Sequence, residues 1–212
     1  MGSVTPIKFL ADYRPPKSCR AHMLDDLPAA LEGVSHLEYI VAESVSIAET
    51  RLQQLTPGVP SLDMDEAVAI ASYTFDLGIN SNHTEGCDSL FYVLNFVLRG
   101  RLGPKVHALT PYLASLMRGL SKLPAVEELV YRGVPACNFN FVHDKYKEGV
   151  RIYWTAFTSN SSDIIKAKEL AQEPGGIIFR IRAVQGRRLA AYSAKRSEDE
   201  VKCLMVNCPI DK

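Results

Sequence analysis

The chain carries no excess of charge of either sign: 24 Lys and Arg stand against 24 Asp and Glu in 212 residues. A balanced surface offers no global attraction to a phosphate backbone or an anionic bilayer, so no nucleic-acid partner is expected. The one basic run, Gln185-Gly186-Arg187-Arg188, is short and reads as the edge of a turn. No apolar stretch reaches membrane-spanning length, and the first residues show neither a basic segment leading into a long apolar run nor an obvious cleavage site. No membrane span and no recognisable signal peptide are therefore expected; a signal already removed, or a non-classical secretion route, leaves the same appearance. The five cysteines (Cys19, Cys87, Cys137, Cys203 and Cys208) lack paired metal-ligand spacing, and their odd number leaves at least one outside any intrachain disulfide. A bound metal is not expected, and a reducing compartment is favoured. Internal repeats and low-complexity tracts are absent. So is a Gly-x-Gly-x-x-Gly turn between a strand and a helix, which argues against a doubly wound dinucleotide-binding fold.

What is present is an ordinary globular composition, 47% hydrophobic and 23% charged, in a chain long enough to bury a substantial core. Residues 1–28 are rich in proline and polar groups, with Pro15, Pro16 and Pro28 limiting regular structure; they form either a packed arm or a leader. Over 29–55 the apolar residues recur at helical intervals, with a possible break at Gly33, until Pro57-Gly58 stops them. Ser61 is placed to cap a following helix whose first turn carries Asp63, Asp65 and Glu66. A polar loop at 78–86 contains Asn82-His83-Thr84, a sequon without meaning unless the chain is secreted. Two further helices are expected, one over 90–99 ended by Gly100 and one opening at Thr110-Pro111.

After about residue 125 the pattern changes to short β-rich runs. Strands are expected at 129–131, 152–159, 177–184, 188–193 and 200–206, with a hydroxyl-rich turn at 160–163 and a helix over 164–171. A helical first half at 29–125 and a strand-rich second half at 126–206 form an α+β domain, with 207–212 as a tail. The last strand begins in Ser197-Glu198-Asp199-Glu200. The period of two puts Glu198 and Glu200 on one face and Asp199 on the other. By itself this stretch is either a charged loop feeding a core strand or a wall bearing two acids. Arg132 beside Gly133 at a strand end and Ser159 in the hydroxyl turn are equally ambiguous. Each suits ordinary surface or capping duty, and together they suit a phosphate-bearing sugar nucleotide.

At these residues the chain resembles the mono-ADP-ribosyltransferases of the arginine-serine-glutamate class. Val130-Tyr131-Arg132-Gly133 matches the aromatic-arginine motif and Phe157-Thr158-Ser159-Asn160-Ser161 the Phe-Thr-Ser-Thr-Ser motif. Glu198-Asp199-Glu200-Val201 matches Glu-x-Glu, and all three stand in the family's order. Upstream similarity at Glu66-Ala67, Tyr73-Thr74, Leu94-Asn95 and 120–124 extends the likeness to about 60–206. Asn160 departs from the usual Thr. The resemblance implies a split β-sandwich core behind a helical region and NAD+ as a substrate, with no metal. It also implies an acceptor protein with an exposed arginine, since Glu-x-Glu is the arginine-directed form, and a cytoplasmic or secreted effector. Carried over residue by residue, Arg132 binds the dinucleotide phosphates and Gly133 offers its backbone to the nicotinamide amide. Ser159 holds Glu200, with Asn160 and Ser161 beside it in the cofactor wall. Glu200 stabilises charge on the ribose, Glu198 serves the incoming guanidinium, and 194–199 is the acceptor-recognition loop. Terminal cysteine pairing in secreted animal members implies Cys19–Cys208 as a candidate bond. An NAD+ glycohydrolase, a transferase to small guanidines and a non-enzymatic binding module are the alternatives.

Overall fold

The structure, a computed structural model, describes residues 13–15, 17–27, 34, 36–76, 89–100, 103–153, 156–171, 175–194, 200–203 and 207–209. For 139, 141, 151–153, 159, 185, 200–203 and 207–209 it describes the backbone alone. The chain forms two compact units, Met1–Pro124 with Ala191–Arg196, and Ala125–Ala190 with Ser197–Lys212.

The first unit is helical: α1 Cys19–Asp25, α2 Leu37–Gln53, α3 Met64–Thr74, α4 Leu90–Gly100, α5 Gly103–Ala108 and α6 Thr110–Lys122. Ser18 opens α1 by accepting a hydrogen bond from the Ala21 amide, and Cys19, Met23 and Leu27 are buried. The described part of the proline-rich segment is thus packed. Cys19 is a buried free thiol; the side chain of Cys208, its candidate partner, lies outside what the structure describes. Helix α2 is capped by His36, held in the left-handed region at φ 57°; most of 28–35, where the periodicity begins, lies outside the described residues. Helix α3 is the hub. Its cap is Asp63 rather than Ser61, because Asp63 has a reciprocal partner three residues on: its carboxylate accepts from the Glu66 amide and Glu66 accepts from the Asp63 amide. Residues 67–71 are then essentially inaccessible, each large apolar side chain contributing about 1.5–3 kcal/mol. Two side-chain hydrogen bonds lie within this packing. The Tyr112 hydroxyl donates to the Ala69 carbonyl (3.1 Å) and the Asn95 amide to the Tyr73 hydroxyl (3.1 Å).

The second unit holds β1 Ala125–Val134, a 3-10 turn at Ala136–Asn138, α7 Phe139–Lys145, β2 Arg151–Tyr153, β3 Thr158–Ser161, α8 Ile164–Ala171, β4 Ile177–Arg188, β5 Glu200–Cys203 and β6 Asn207–Pro209. Four strands close on themselves in the order β1-β3-β5-β4, all pairings antiparallel, while β2 and β6 pair separately. Val130 faces Ile181 and Glu128 faces Ala183 across the β1–β4 ladder. Val130, Ile181 and Ala183 make a core against which Val126 and Phe179 pack.

Several boundaries differ from the local pattern. The run 152–159 is not one strand: β2 ends at Tyr153, and β3 takes in Asn160 and Ser161, residues expected in a turn. Pairing decides this, since Asn160 and Ser161 lie opposite Val201 and Glu200. The expected strand at 188–193 is absent. Strand β4 runs on to Arg188, and the chain then turns into the helical unit. There the Tyr192 hydroxyl donates to the Pro60 carbonyl (2.7 Å) and accepts from the Leu62 amide (3.2 Å). Residues 207–209, expected within a tail, pair as β6 with β2.

Candidate active site

Strands β1, β3 and β5, which carry the three motifs, are successive neighbours in the ring. Tyr131 lies opposite Ser161, and Ser161 lies opposite Glu200, so one continuous row crosses all three. With strands about 4.7–4.9 Å apart, the backbones of the first and third motifs are on the order of 10 Å from each other. Ser159 stands opposite Lys202, two positions from Ser161 and hence in phase with the Ser161–Glu200 pair. Arg132 is one residue out of phase with that row: it lies opposite Phe179 and follows the parity of Val130, half-buried. Glu198 and the rest of 195–199 lie outside the described residues, and so does the expected placing of Glu198 and Glu200 on one face.

Around this row several motif residues have local tasks. A Cβ on Gly133 would lie 2.0 Å from the Ala167 carbonyl oxygen and 2.7 Å from the Ala171 nitrogen. Helix α8 therefore rests on the backbone of β1 where only hydrogen fits. Gly176 meets the same helix, its Cβ position 2.0 Å from the Ala171 carbonyl oxygen. Ser161 accepts from the Asp163 amide (3.0 Å), and Asp163 accepts from the Ile165 amide (2.8 Å), so the second serine of the motif also prepares the start of α8. Asn160, where Thr is usual, is buried and donates to the Thr158 carbonyl (3.1 Å). Lys202 of β5 also faces Arg187 of β4. The Nε and Nη1 atoms of Arg187 are buried with no hydrogen-bond partner among the described residues. Burial lowers its pKa below the ordinary guanidinium value.

The helical unit contains a cavity of about 620 Å³ whose lining includes Arg14, Asp63, Asp65, Glu66, Arg118 and Lys122. Its charges are internally matched: buried Glu66 meets Lys122 at 2.5 Å and Arg118 at 3.6 Å. No motif residue lines it. Among the described residues no group of three or more His, Cys, Asp or Glu is arranged to hold a metal ion. No helix formed by them is long and apolar enough to cross a membrane. Sequence reasoning missed Arg51, whose Nη2 donates to the Ser193 carbonyl at 2.8 Å. It also missed the service Thr74 gives by accepting from the Ala194 amide at 2.9 Å. The only local signal was an arginine near the end of an amphipathic helix, which ordinarily means a solvated face.

An arginine-bearing strand, a serine-bearing strand and a glutamate-bearing strand thus stand side by side in the sheet of an α+β fold. The family model for NAD:arginine ADP-ribosyltransferases matches residues 17–204. The chain belongs to this family, and it transfers ADP-ribose from NAD+ to arginine on an acceptor protein. By sequence, no curated protein matches it. Among solved structures it is similar to the ADP-ribosyltransferase HopU1 of Pseudomonas syringae pv. Tomato DC3000, at 19% identity and a TM-score of 0.57, covering 92% of this chain and 89% of that one. The type III effector XopAI from Xanthomonas axonopodis pv. citri is similar at 16% identity and 0.59, covering 93% and 75%. The eukaryotic mono-ADP-ribosyltransferase ART2.2 is similar at 17% and 0.57, covering 88% and 78%. At such identities these likenesses establish the shared fold, a sheet core flanked by helices.

Proposed function

We propose that Arg132, Ser159, Glu198 and Glu200 carry the transfer, with Gly133, Asn160 and Ser161 completing the cofactor wall. The guanidinium fork of Arg132 grips the dinucleotide phosphates, a task for which planar, two-point donation matters more than charge alone. As the bond between nicotinamide and ribose breaks, its electron pair leaves with nicotinamide and positive charge builds on the ribose. Glu200, steadied by Ser159, stabilises that charge, an interaction stronger in the transition state than before it. A guanidinium nitrogen of the acceptor then bonds to the ribose carbon. The acceptor arginine is a poor nucleophile while protonated, so Glu198 orients it and takes the proton as the new bond forms. The observation that supports this reading is the adjacency of β1, β3 and β5, which sets the backbones of the three motifs side by side. The proposed setting is that of a delivered effector, as XopAI is.

The test is the separation of transfer from hydrolysis. Glu198→Gln is expected to lose transfer of labelled ADP-ribose to a protein extract or to a small guanidine, while much of the slower nicotinamide release to water persists. Water needs no carboxylate to orient a guanidinium. Equal collapse of both activities in a folded variant contradicts this division of labour. Persistent transfer to a residue other than arginine removes the acceptor assignment.

A further inference from the structure

Strand β4 carries four arginines, and two of them meet carboxylates of β1: Arg182 reaches Glu127 at 2.5 Å, and Arg188 pairs with Glu128. Arg187 is different. Its Nε and Nη1 atoms are inaccessible and make no hydrogen bond among the described residues, and burial draws its pKa down. The contrast runs against solvation: the Arg182 side chain is 78% exposed and still paired, whereas the enclosed guanidinium of Arg187 is the unmatched one. An enclosed charge without a partner costs stability, and what ordinarily completes it is a water, an ion or a ligand.

The sheet places Arg187 beside the motif strands. From Ala183 to Gly186, β4 takes three steps where β1 takes two from Glu128 to Val126, a bulge of one residue. Without it Arg187 would share the parity of Ile181 and Ala183, which lie in the core; with it Arg187 takes the opposite parity. It then stands opposite Lys202 of β5, and Lys202 stands opposite Ser159 of β3. This row lies two residues from the one that joins Glu200 to Ser161, in the same phase. The Arg187 and Ser159 backbones are on the order of 10 Å apart across β5. Two cationic residues directly opposite in an antiparallel ladder are destabilising by themselves, and an anion bound there offsets the repulsion.

We infer that Arg187 is a second substrate-binding guanidinium of the transferase and takes a phosphate oxyanion of NAD+. Of the two substrates only the dinucleotide carries phosphates; the acceptor arginine is itself a cation and is repelled. Arg187 keeps partial exposure, so it is not sealed from a ligand. Its planar fork suits two oxygens of one phosphate, and its charge is matched only when NAD+ is bound. The inference rests on the proposed lining of the cofactor site by Ser159 and Glu200.

The experiment uses the full chain and reads binding rather than turnover. Calorimetry follows ADP-ribose, which keeps both phosphates and lacks nicotinamide, and thermal unfolding follows the rise in midpoint produced by ADP-ribose and by inorganic pyrophosphate. Arg187→Met is expected to weaken ADP-ribose binding about tenfold or more and to shrink the midpoint rise from both ligands. Its ligand-free midpoint is expected to be unchanged or higher, because an unmatched enclosed charge has been removed. Arg187→Lys keeps the charge, loses the fork and is expected to bind between Arg187→Met and the parent. ADP-ribose affinity within about twofold of the parent in both variants overturns the inference. So does weakened ADP-ribose binding with the pyrophosphate response intact, which moves the contact off the phosphates. If Arg187→Met is destabilised, Arg187→Lys decides: weakened ADP-ribose binding supports the assignment and unchanged binding overturns it. Nicotinamide release by Glu200→Gln, measured alongside, tests the reading beneath. Near-normal release there, with ADP-ribose binding weakened in Arg187→Met, keeps Arg187 as a phosphate contact and removes Glu200 from the chemistry. Lost release there, with ADP-ribose binding unchanged in both Arg187 variants, removes Arg187 and keeps Glu200.

Discussion

Gly133→Ala tests the architecture beneath the site most directly. The added Cβ would sit 2.0 Å from the Ala167 carbonyl oxygen, where ordinary contact begins near 3.4 Å, and 2.7 Å from the Ala171 nitrogen. Both atoms are backbone, so no rotamer change relieves the overlap. Either α8 lifts by more than an ångström or β1 bends away. Lifting α8 strips cover from Ala167 and Ala171, which are 1% and 0% exposed. It also opens the close seat of Gly176 beneath the Ala171 carbonyl. Overpacking typically costs about 1–3 kcal/mol, and a clash against backbone belongs at the upper end, about 3 kcal/mol. For a chain of this size that lowers the thermal midpoint by about 6–12 °C. Urea and thermal unfolding of the parent and Gly133→Ala measure it, with Gly133→Ala/Ala167→Gly as the control. Removing the Ala167 methyl leaves the obstructing oxygen in place, so the double variant is expected to be no more stable. Rescue by Ala167→Gly would refute the backbone-contact argument. A stability change within about 0.5 kcal/mol, the range of an ordinary surface substitution, would refute the close approach itself. If NAD+ affinity then fell with stability unchanged, Gly133 would be a ligand contact only.

Glu200→Gln is expected to reduce both transfer and nicotinamide release by about 10²–10³, with the thermal midpoint preserved; near-normal release removes Glu200 from the chemistry. Arg132→Lys is expected to weaken NAD+ binding about tenfold or more by calorimetry, from the loss of a charged two-point contact, and unchanged affinity makes Arg132 structural. The Cys19 thiol is pushed well above its ordinary value of 9.0, first by burial and then by the neighbouring Asp65 carboxylate. A group raised in the folded state contributes fully below its unfolded pKa. The Cys19 contribution is therefore intact up to about pH 8 and declines above about pH 9, by about 1.4 kcal/mol per pH unit. Urea unfolding between pH 7 and 10 follows it. Native-state alkylation located by mass spectrometry provides a second check: exposed Cys137 reacts while Cys19 is protected. Equal labelling of the two refutes the burial argument.

Sequence alone was enough for whatever is encoded by neighbours in the chain. The helix over 164–171 and the helix opening at Thr110-Pro111 were legible because period and first-turn chemistry act within a few residues. The three motifs and their order pointed to the family that matches 17–204. Tertiary structure decided what depends on partners far along the chain. The set of apolar and hydroxyl residues at 188–193 has strand character, yet Tyr192 and Ser193 find their hydrogen bonds in the helical unit, so the sheet ends at Arg188. Asn160 and Ser161 look like a turn, yet register against Val201 and Glu200 makes them strand. The Gly133 pattern suggested a ligand contact, and only the seating of α8 reveals a packing demand at the same residue. Likewise Arg51 reads as a solvated helix arginine until the chain returns 142 residues later to use it. Local propensity sets which conformations are cheap, whereas pairing of buried donors and acceptors over such separations selects among them, and that selection has no local signature.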